Sequence, residues 1–181
     1  MPAPRIFLPP ILVLILSLFS SAAEPAVAEA RKVDLRLQVR EQANRCAQAM
    51  IRHDLETFAP FVSPRLLQAV GGRTRLVELI EKGREEMKKK KVVLTSAEVG
   101  TPSTVEKAAG FYLSMVPQRV IMTGPEGRSE TTSHLLAISS DEGKSWYFLD
   151  CASLDQEKLD LLYPELKGKI RLPQAKTQLL Q

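Results

Sequence analysis

The chain has 181 residues, of which 44% are hydrophobic and 25% are charged, and its formal net charge is +4. These shares are ordinary for a globular protein and exclude a disordered, collagen-like or low-complexity chain. The length favours one domain, because a single core usually serves about 100–200 residues. A charge excess this small does not indicate nucleic acid as a partner.

Residues Met1–Ala28 have the pattern of a signal peptide. Arg5 precedes an apolar stretch, Ile11–Phe19, and small residues then offer cleavage after Ala23 or Ala28. The stretch is shorter than the roughly 20 apolar residues of a membrane-spanning helix, which disfavours an uncleaved anchor. We therefore expect an exported protein, periplasmic or secreted, with no membrane span once the signal is removed.

The rest of the chain is predicted to form one domain over residues 29–166 and a polar, loosely held tail over residues 167–181. Its first element is a helix over Ala30–Arg52, because apolar or small residues recur at steps of three and four. That helical face carries Leu35, Val39, Ala43, Cys46 and Met50.

Three shorter helices are predicted next. Leu55–Phe58 and Pro64–Val70 form a short pair, with Asp54 as a candidate N-cap and Gly71-Gly72 as the stop signal. A helix over Thr74–Met87 follows, with a buried stripe of Leu76, Ile80, Gly83 and Met87. The lysines at its end, Lys88–Lys91, are typical of a solvated helix terminus, and no interleaved aromatic residue favours nucleic-acid binding.

From residue 92 the hydrophobic period changes to two, which predicts strands. The predicted turns are Gly124–Gly127 and Ser140–Lys144, and Pro117 is expected to bend the longest strand. Ser153 and Gln156 are interpreted as a capping box for a last helix through Leu162. The predicted strands are Val92–Val99, Phe111–Met122, Arg128–Ser139 and Ser145–Cys151.

This order of elements resembles the nuclear-transport-factor-2-like superfamily, which includes SnoaL-like polyketide cyclases and ketosteroid isomerases, and in particular its uncharacterised secreted members. The resemblance is carried by the first helix face, the paired long strands, Ile51–Phe58, Gly71-Gly72, Ser133–Asp141 and Gly143–Asp150. It implies a curved, cone-like antiparallel sheet that wraps the first helix and leaves a pocket at the open end. Together with the last helix predicted from its capping residues, the expected fold is α+β, with N-terminal helices packed into the sheet and a short C-terminal helix. A homodimer is plausible by the same analogy.

The segment Ser139–Trp146 fits the Asp-box pattern of sialidase-like propellers. Asp141 can accept backbone N–H groups, Gly143 permits positive φ, and Trp146 can pack beneath the turn. A propeller needs several copies, so a single copy predicts a stable hairpin turn and not glycosidase chemistry.

Strand alternation selects the candidate functional residues. Thr132, His134, Leu136 and Ile138 share one face, as do Trp146, Phe148 and Asp150. His134 and Asp150 are candidates for a general-base pair. The alternative places His134 on an outer or partly solvated face and makes Asp150 a cap before the last helix. The candidate ligand-binding residues are Tyr112, Trp146, His134 and Asp150, where Tyr112 loosely matches the tyrosine of the enzymatic relatives.

Cys46 and Cys151 are the two cysteines, and an exported protein permits a disulfide between them. The alternative is two buried free thiols. If they are bridged, Tyr147 and Leu149 point inward beside Cys151. Cysteine and histidine spacing predicts no metal site, and no cofactor motif is found.

Two functions are compatible with these patterns. The first is a non-catalytic module that binds a small apolar ligand or a protein partner. The second is an isomerase, cyclase or hydrolase that uses a pocket His or Asp as general base. The first is favoured, because few catalytic groups converge on the predicted scaffold.

Overall fold

The computed structural model describes residues 23–180, with side chains from residue 34 onward. Within this range, helices are followed by a strongly curled antiparallel sheet, so the predicted α+β class is confirmed. The α-helices are α1 (Ala23–Ile51), α2 (Leu55–Phe58), α3 (Pro64–Val70), α4 (Arg73–Lys89) and α5 (Gln156–Leu162). The strands are β1 (Val93–Val99), β2 (Glu106–Ala108), β3 (Phe111–Gly124), β4 (Gly127–Ser139), β5 (Tyr147–Asp150) and β6 (Lys176–Leu180). Residues 1–22 of the predicted signal peptide lie outside the described residues, and residues 23–28 begin α1.

The helix boundaries follow local signals in the sequence. Helix α1 buries Leu35, Val39, Ala43 and Cys46 on the predicted face. Asp54 caps α2 as predicted, because its Oδ1 accepts a hydrogen bond from the Thr57 N–H at 3.0 Å. Gly71, at φ +93°, ends α3 in the left-handed conformation that favours glycine.

A long hairpin of β3 and β4 forms the centre of the sheet. Pro125 and Glu126 join the two strands, with Gly124 opposite Gly127, so the predicted turn is confirmed. The two halves of β3 pair with β1 and β2, and the two halves of β4 pair with β5 and β6. A bulge between Leu94 and Ser96 in β1 adds to the curl of the sheet.

Pro117 does not interrupt the ladder between β3 and β4. It lies opposite His134, and the register is continuous on both sides of it. Its carbonyl oxygen accepts a hydrogen bond from the Gly100 N–H, at 2.7 Å, in the loop that joins β1 to β2. Since the N–H and C=O of a strand residue point the same way, the missing proline N–H faces this loop.

Both faces of the sheet are covered where β4 pairs with β5. Leu135 and Ala137 face α1 on the inner side, together with Trp146 and Phe148. The outer cluster consists of Leu113, Leu136, Ile138, Leu149, Cys151, Leu159, Tyr163 and Leu166. Strand alternation therefore separates neighbouring residues of β4 into two different cores.

This arrangement corrects the cysteine prediction. Cys46 belongs to the inner core and Cys151 to the outer one, and both are free and buried. The disulfide that the sequence permitted is not formed. The dependent inference, that Tyr147 and Leu149 point inward, is also wrong, because Phe148 takes the inner side while Leu149 lies in the outer core.

The C-terminal region also differs from the prediction. Asp155, not Ser153, caps α5, since its Oδ1 accepts from the Lys158 N–H at 2.8 Å. The Gln156 amide instead binds the backbone of Ile170 and Leu172, at 3.2 and 3.1 Å. The chain then returns as β6, an edge strand on β4. The polar tail is therefore held by backbone pairing, which needs no apolar side chains, and α5 is not the final element.

The single Asp-box segment forms the predicted tight turn. Asp141 Oδ1 accepts from the Ser139 hydroxyl and the Ser145 N–H, at 2.8 and 2.9 Å. Gly143 has a φ of +88°, and a Cβ there would overlap Leu35 of α1. Trp146 is buried below the turn. The turn therefore anchors α1 against the sheet and serves a structural purpose.

Candidate functional site

A cavity of about 700 Å³ lies between α4 and the inner face of the sheet. Its apolar lining comes from all five α-helices and from strands β1, β3, β4 and β5. The principal apolar residues are Ala47, Met50, Phe58, Leu66, Leu76, Ile80, Met87, Leu94, Ala97, Val120, Met122, Leu135, Phe148, Leu154, Leu161 and Leu162.

Helix α4 forms one side of this cavity, and its apolar stripe is less buried than predicted. Its apolar stripe exists, but no residue of α4 is fully buried. Leu76, Ile80 and Met87 face the cavity instead of a packed core. The opposite face of α4 is charged and carries pairs such as Lys89–Glu86, with 2.8 Å between Nζ and Oε1. The lysines at the end of α4 are therefore a solvated helix terminus, as expected.

A small polar cluster interrupts the apolar wall of the cavity. Gln118 on β3 donates from Nε2 to Ser133 Oγ on β4 and to Asp150 Oδ1 on β5, both at 2.8 Å. The same Asp150 oxygen accepts from the Ala152 N–H at 2.9 Å. The register places Gln118 opposite Ser133 and Asp150 opposite Leu135, which brings all of these side chains to the inner face.

Burial raises the pKa of the Asp150 carboxyl above its ordinary value, because the apolar surroundings disfavour the charged form. Hydrogen bonds from Ala152, Ser133 and Gln118 oppose this effect without cancelling it. No cation among residues 34–180 forms an ion pair with Asp150. The carboxyl group is therefore hydrogen-bonded but not neutralised by an opposite charge.

Asp150 thus has both of the properties considered from the sequence. It lines the cavity, and its side chain and carbonyl also organise the turn that leads to α5. The carbonyl oxygen accepts from the N–H groups of Ser153 and Leu154, at 3.2 and 3.0 Å.

His134 does not meet Asp150. It shares the outer face of β4 with Leu136, whereas Asp150 pairs with the inner residue Leu135. His134 Nδ1 is buried and has no hydrogen-bond partner among the described residues. The predicted His–carboxylate pair is therefore not assembled, and His134 lies half-buried on the outer face of β4.

Trp146 and Tyr112 do not line the cavity either. Trp146 is only 1% exposed and fills the inner core beneath the Asp-box turn. Tyr112 packs against the same core, and Lys107 Nζ lies 5.5 Å from the centre of its ring. Of the four candidate ligand-binding residues, only Asp150 reaches the cavity.

Gln118 and Ser133 are site residues that the sequence prediction missed. Both are buried polar residues within strands of largely apolar character. An uncharged polar residue in the middle of a buried strand is the signal that would have identified them, since such groups need a buried partner.

The thiol of Cys46 also lines the cavity. Burial raises its pKa to about 12, so the thiol is protonated at neutral pH and is a poor nucleophile. Within residues 34–180, no three His, Cys, Asp or Glu side chains are grouped so that they could hold a metal ion. No helix in the described part of the chain has the length and apolar character needed to cross a membrane.

Comparison of the chain with protein-family models, curated proteins and solved structures finds no significant match. The resemblance to the nuclear-transport-factor-2-like superfamily therefore stays a prediction, and the inference about function depends on the geometry of the cavity.

Proposed function

We propose that this protein is an exported binding module that binds a small apolar molecule in the cavity between α4 and the sheet. The main observation behind the proposal is a cavity of about 700 Å³ with a predominantly apolar lining. Ligand sites in proteins typically measure roughly 300–1,000 Å³ and combine apolar walls with a few polar groups. The cluster of Gln118, Ser133 and Asp150 supplies such groups.

The apolar side chains of α4 that line the cavity favour a bound apolar ligand. An amphipathic helix is normally stabilised by burying its apolar stripe against a core. Here Leu76, Ile80 and Met87 line the cavity and are only partly buried. Apolar side chains that are not packed against a core lack part of the dispersion contacts of a protein interior. A bound apolar molecule would supply those contacts and would stabilise α4 in place.

The flexibility of the lining fits a ligand whose shape varies. Met50, Met87 and Met122 all border the cavity. Methionine is unbranched and polarisable, so it adapts to apolar surfaces of different outline. The predicted signal peptide and the expected pocket of a nuclear-transport-factor-2-like fold agree with this proposal.

A fluorescence titration tests the proposal directly. The probe is N-phenyl-1-naphthylamine, whose emission rises in apolar surroundings. Purified protein is expected to bind it saturably, and Ala47→Phe or Ala97→Phe should weaken binding at least about tenfold by filling the cavity. Asn44→Phe places the same ring on the exposed side of α1 and is the matched control. Equal binding by all three variants, or no saturable binding by the wild type, would overturn the proposal.

A second candidate is proton transfer by Asp150, in an isomerase- or cyclase-type reaction. It is favoured by one observation, a cavity carboxyl group whose pKa is raised by burial. Incubation of the protein with a bound ligand in ²H₂O, followed by mass spectrometry, distinguishes the two functions. Deuterium incorporation or isomerisation that Asp150→Asn abolishes would support catalysis. Unchanged ligand would support binding alone.

A further inference from the structure

The polar residues of the cavity wall indicate which head group a ligand carries. Among residues 34–180, four such residues border the cavity: Gln118, Asp150, Ser153 and Lys158. Two of them are ionisable, and they differ in their surroundings. Lys158 is bound at the rim by Asp155, with 2.7 Å between Nζ and Oδ2, and 61% of its side chain is exposed. Its charge is therefore already paired and hydrated.

Asp150, in contrast to Lys158, forms no ion pair with another described residue. Its neighbours in the cluster are the Gln118 amide, the Ala152 N–H and Ser133, all of them uncharged. These contacts fix the orientation of the carboxyl group but do not neutralise it. Asp150 is partly buried. A carboxylate in such surroundings without an opposite charge carries a desolvation cost, and pairing it with a cation relieves part of that cost.

We propose that the cavity selects a cationic amphiphile, an apolar body that carries a protonated amine, and that the ammonium group pairs with Asp150. This inference depends on the proposed binding function. An ammonium group has three donors and a full positive charge, both of which complement a carboxylate. A fatty acid would place a second negative charge beside Asp150, which disfavours it. An alcohol of equal length gains a hydrogen bond but no ion pair.

Three ligands of equal chain length separate these possibilities: dodecylamine, 1-dodecanol and dodecanoate. The affinity of each is measured by its competition with N-phenyl-1-naphthylamine for the protein at about pH 7.5, where an alkylamine is protonated. Dodecylamine is expected to bind at least about tenfold more tightly than dodecanoate, a difference of about 1.4 kcal/mol. Dodecanol should fall between them.

Asp150→Asn tests the residue while keeping the shape of the side chain and the acceptor for the Ala152 N–H. It should abolish the preference for dodecylamine over dodecanol and leave dodecanol binding within about threefold of wild type. Asp34→Asn removes the same charge from an exposed site on α1 and should leave all three affinities unchanged. The comparison of head groups in the wild-type protein needs no variant and holds even if Asp150→Asn folds poorly.

The outcomes distinguish the two proposals. If none of the ligands displaces the probe and the probe itself does not bind, the binding function is wrong. If dodecanol binds but dodecylamine has no advantage over dodecanoate, the cationic ligand class is wrong and the binding function stands. Unchanged preference for the amine in Asp150→Asn would also overturn the assignment to Asp150.

Discussion

Gln118 on β3 reaches across the intervening strand β4 to donate a hydrogen bond to Asp150 on β5, with 2.8 Å between Nε2 and Oδ1. Ser133 on β4 accepts the second amide hydrogen. One side chain thereby connects three neighbouring strands at the wall of an apolar cavity. The geometry leads to the following predictions.

Gln118→Leu should lower the free energy of unfolding by about 1–3 kcal/mol, because the buried Ser133 and the partly buried Asp150 lose a shared donor. Denaturant unfolding measured by circular dichroism provides the value. Gln178→Leu on the exposed strand β6 is the control and should change stability by less than about 0.5 kcal/mol. A loss at position 118 no larger than at position 178 would show that the cluster contributes nothing to stability.

Asp150→Asn should change how stability depends on pH. Because the pKa of Asp150 is raised above 3.8, the folded state keeps this proton to higher pH than the unfolded chain. The contribution of Asp150 to stability therefore decreases as the pH rises from 3.8 through the raised pKa. The free energy of unfolding of the wild type minus that of Asp150→Asn should fall over this range in urea titrations. A difference that rises with pH would contradict the burial of this carboxyl group.

Both cysteines should titrate as free thiols with Ellman's reagent once the protein is unfolded without reductant. In the native protein both should react slowly, since they are buried and burial raises the pKa of Cys46 to about 12 and that of Cys151 to about 11. Cys46→Ser and Cys151→Ser provide the controls, with one thiol each. Unfolded wild-type protein that yields no thiol would show that a disulfide forms after all.

Gly143→Ala should lower the free energy of unfolding by about 1–3 kcal/mol. The φ of +88° at position 143 is strained for residues other than glycine, and the new Cβ would overlap the Leu35 side chain. Gly83→Ala in the middle of α4 is the matched control, since a Cβ there would meet no described atom within 4 Å apart from its chain neighbours and the nearby backbone of its own helix. That change should be neutral or stabilising by about 0.5–1 kcal/mol, as expected for alanine in a helix. Thermal unfolding of the two variants gives the comparison, and equal effects would contradict the anchoring role of the Asp-box turn.

Much of the fold could be predicted because its signals are local. The face of α1 with Leu35, Val39 and Ala43 follows from helical periodicity, and the hairpin turn follows from Gly124–Gly127. The prediction failed for β6, whose pairing with β4 depends on backbone groups and leaves four of its five side chains exposed. Backbone pairing of a polar edge strand has no distinctive sequence pattern.

The candidate site was predicted only in part, for a different reason. Alternation correctly grouped Asp150 with Phe148 and His134 with Leu136, but it could not say which group faces α1. That choice depends on the register between β4 and β5, where Leu135 lies opposite Asp150. A shift of one residue would have exchanged the two faces.

The sequence by itself therefore determined the helix faces, the turns and the α+β class, because periodicity, capping residues and glycines act over a few neighbouring positions. The tertiary structure alone decided that His134 and Asp150 lie on opposite faces of the sheet. It also decided that Cys46 and Cys151 occupy separate cores and that α4 lines a cavity. Those relationships join residues far apart in the chain, and they exist only once the curled sheet has packed around α1.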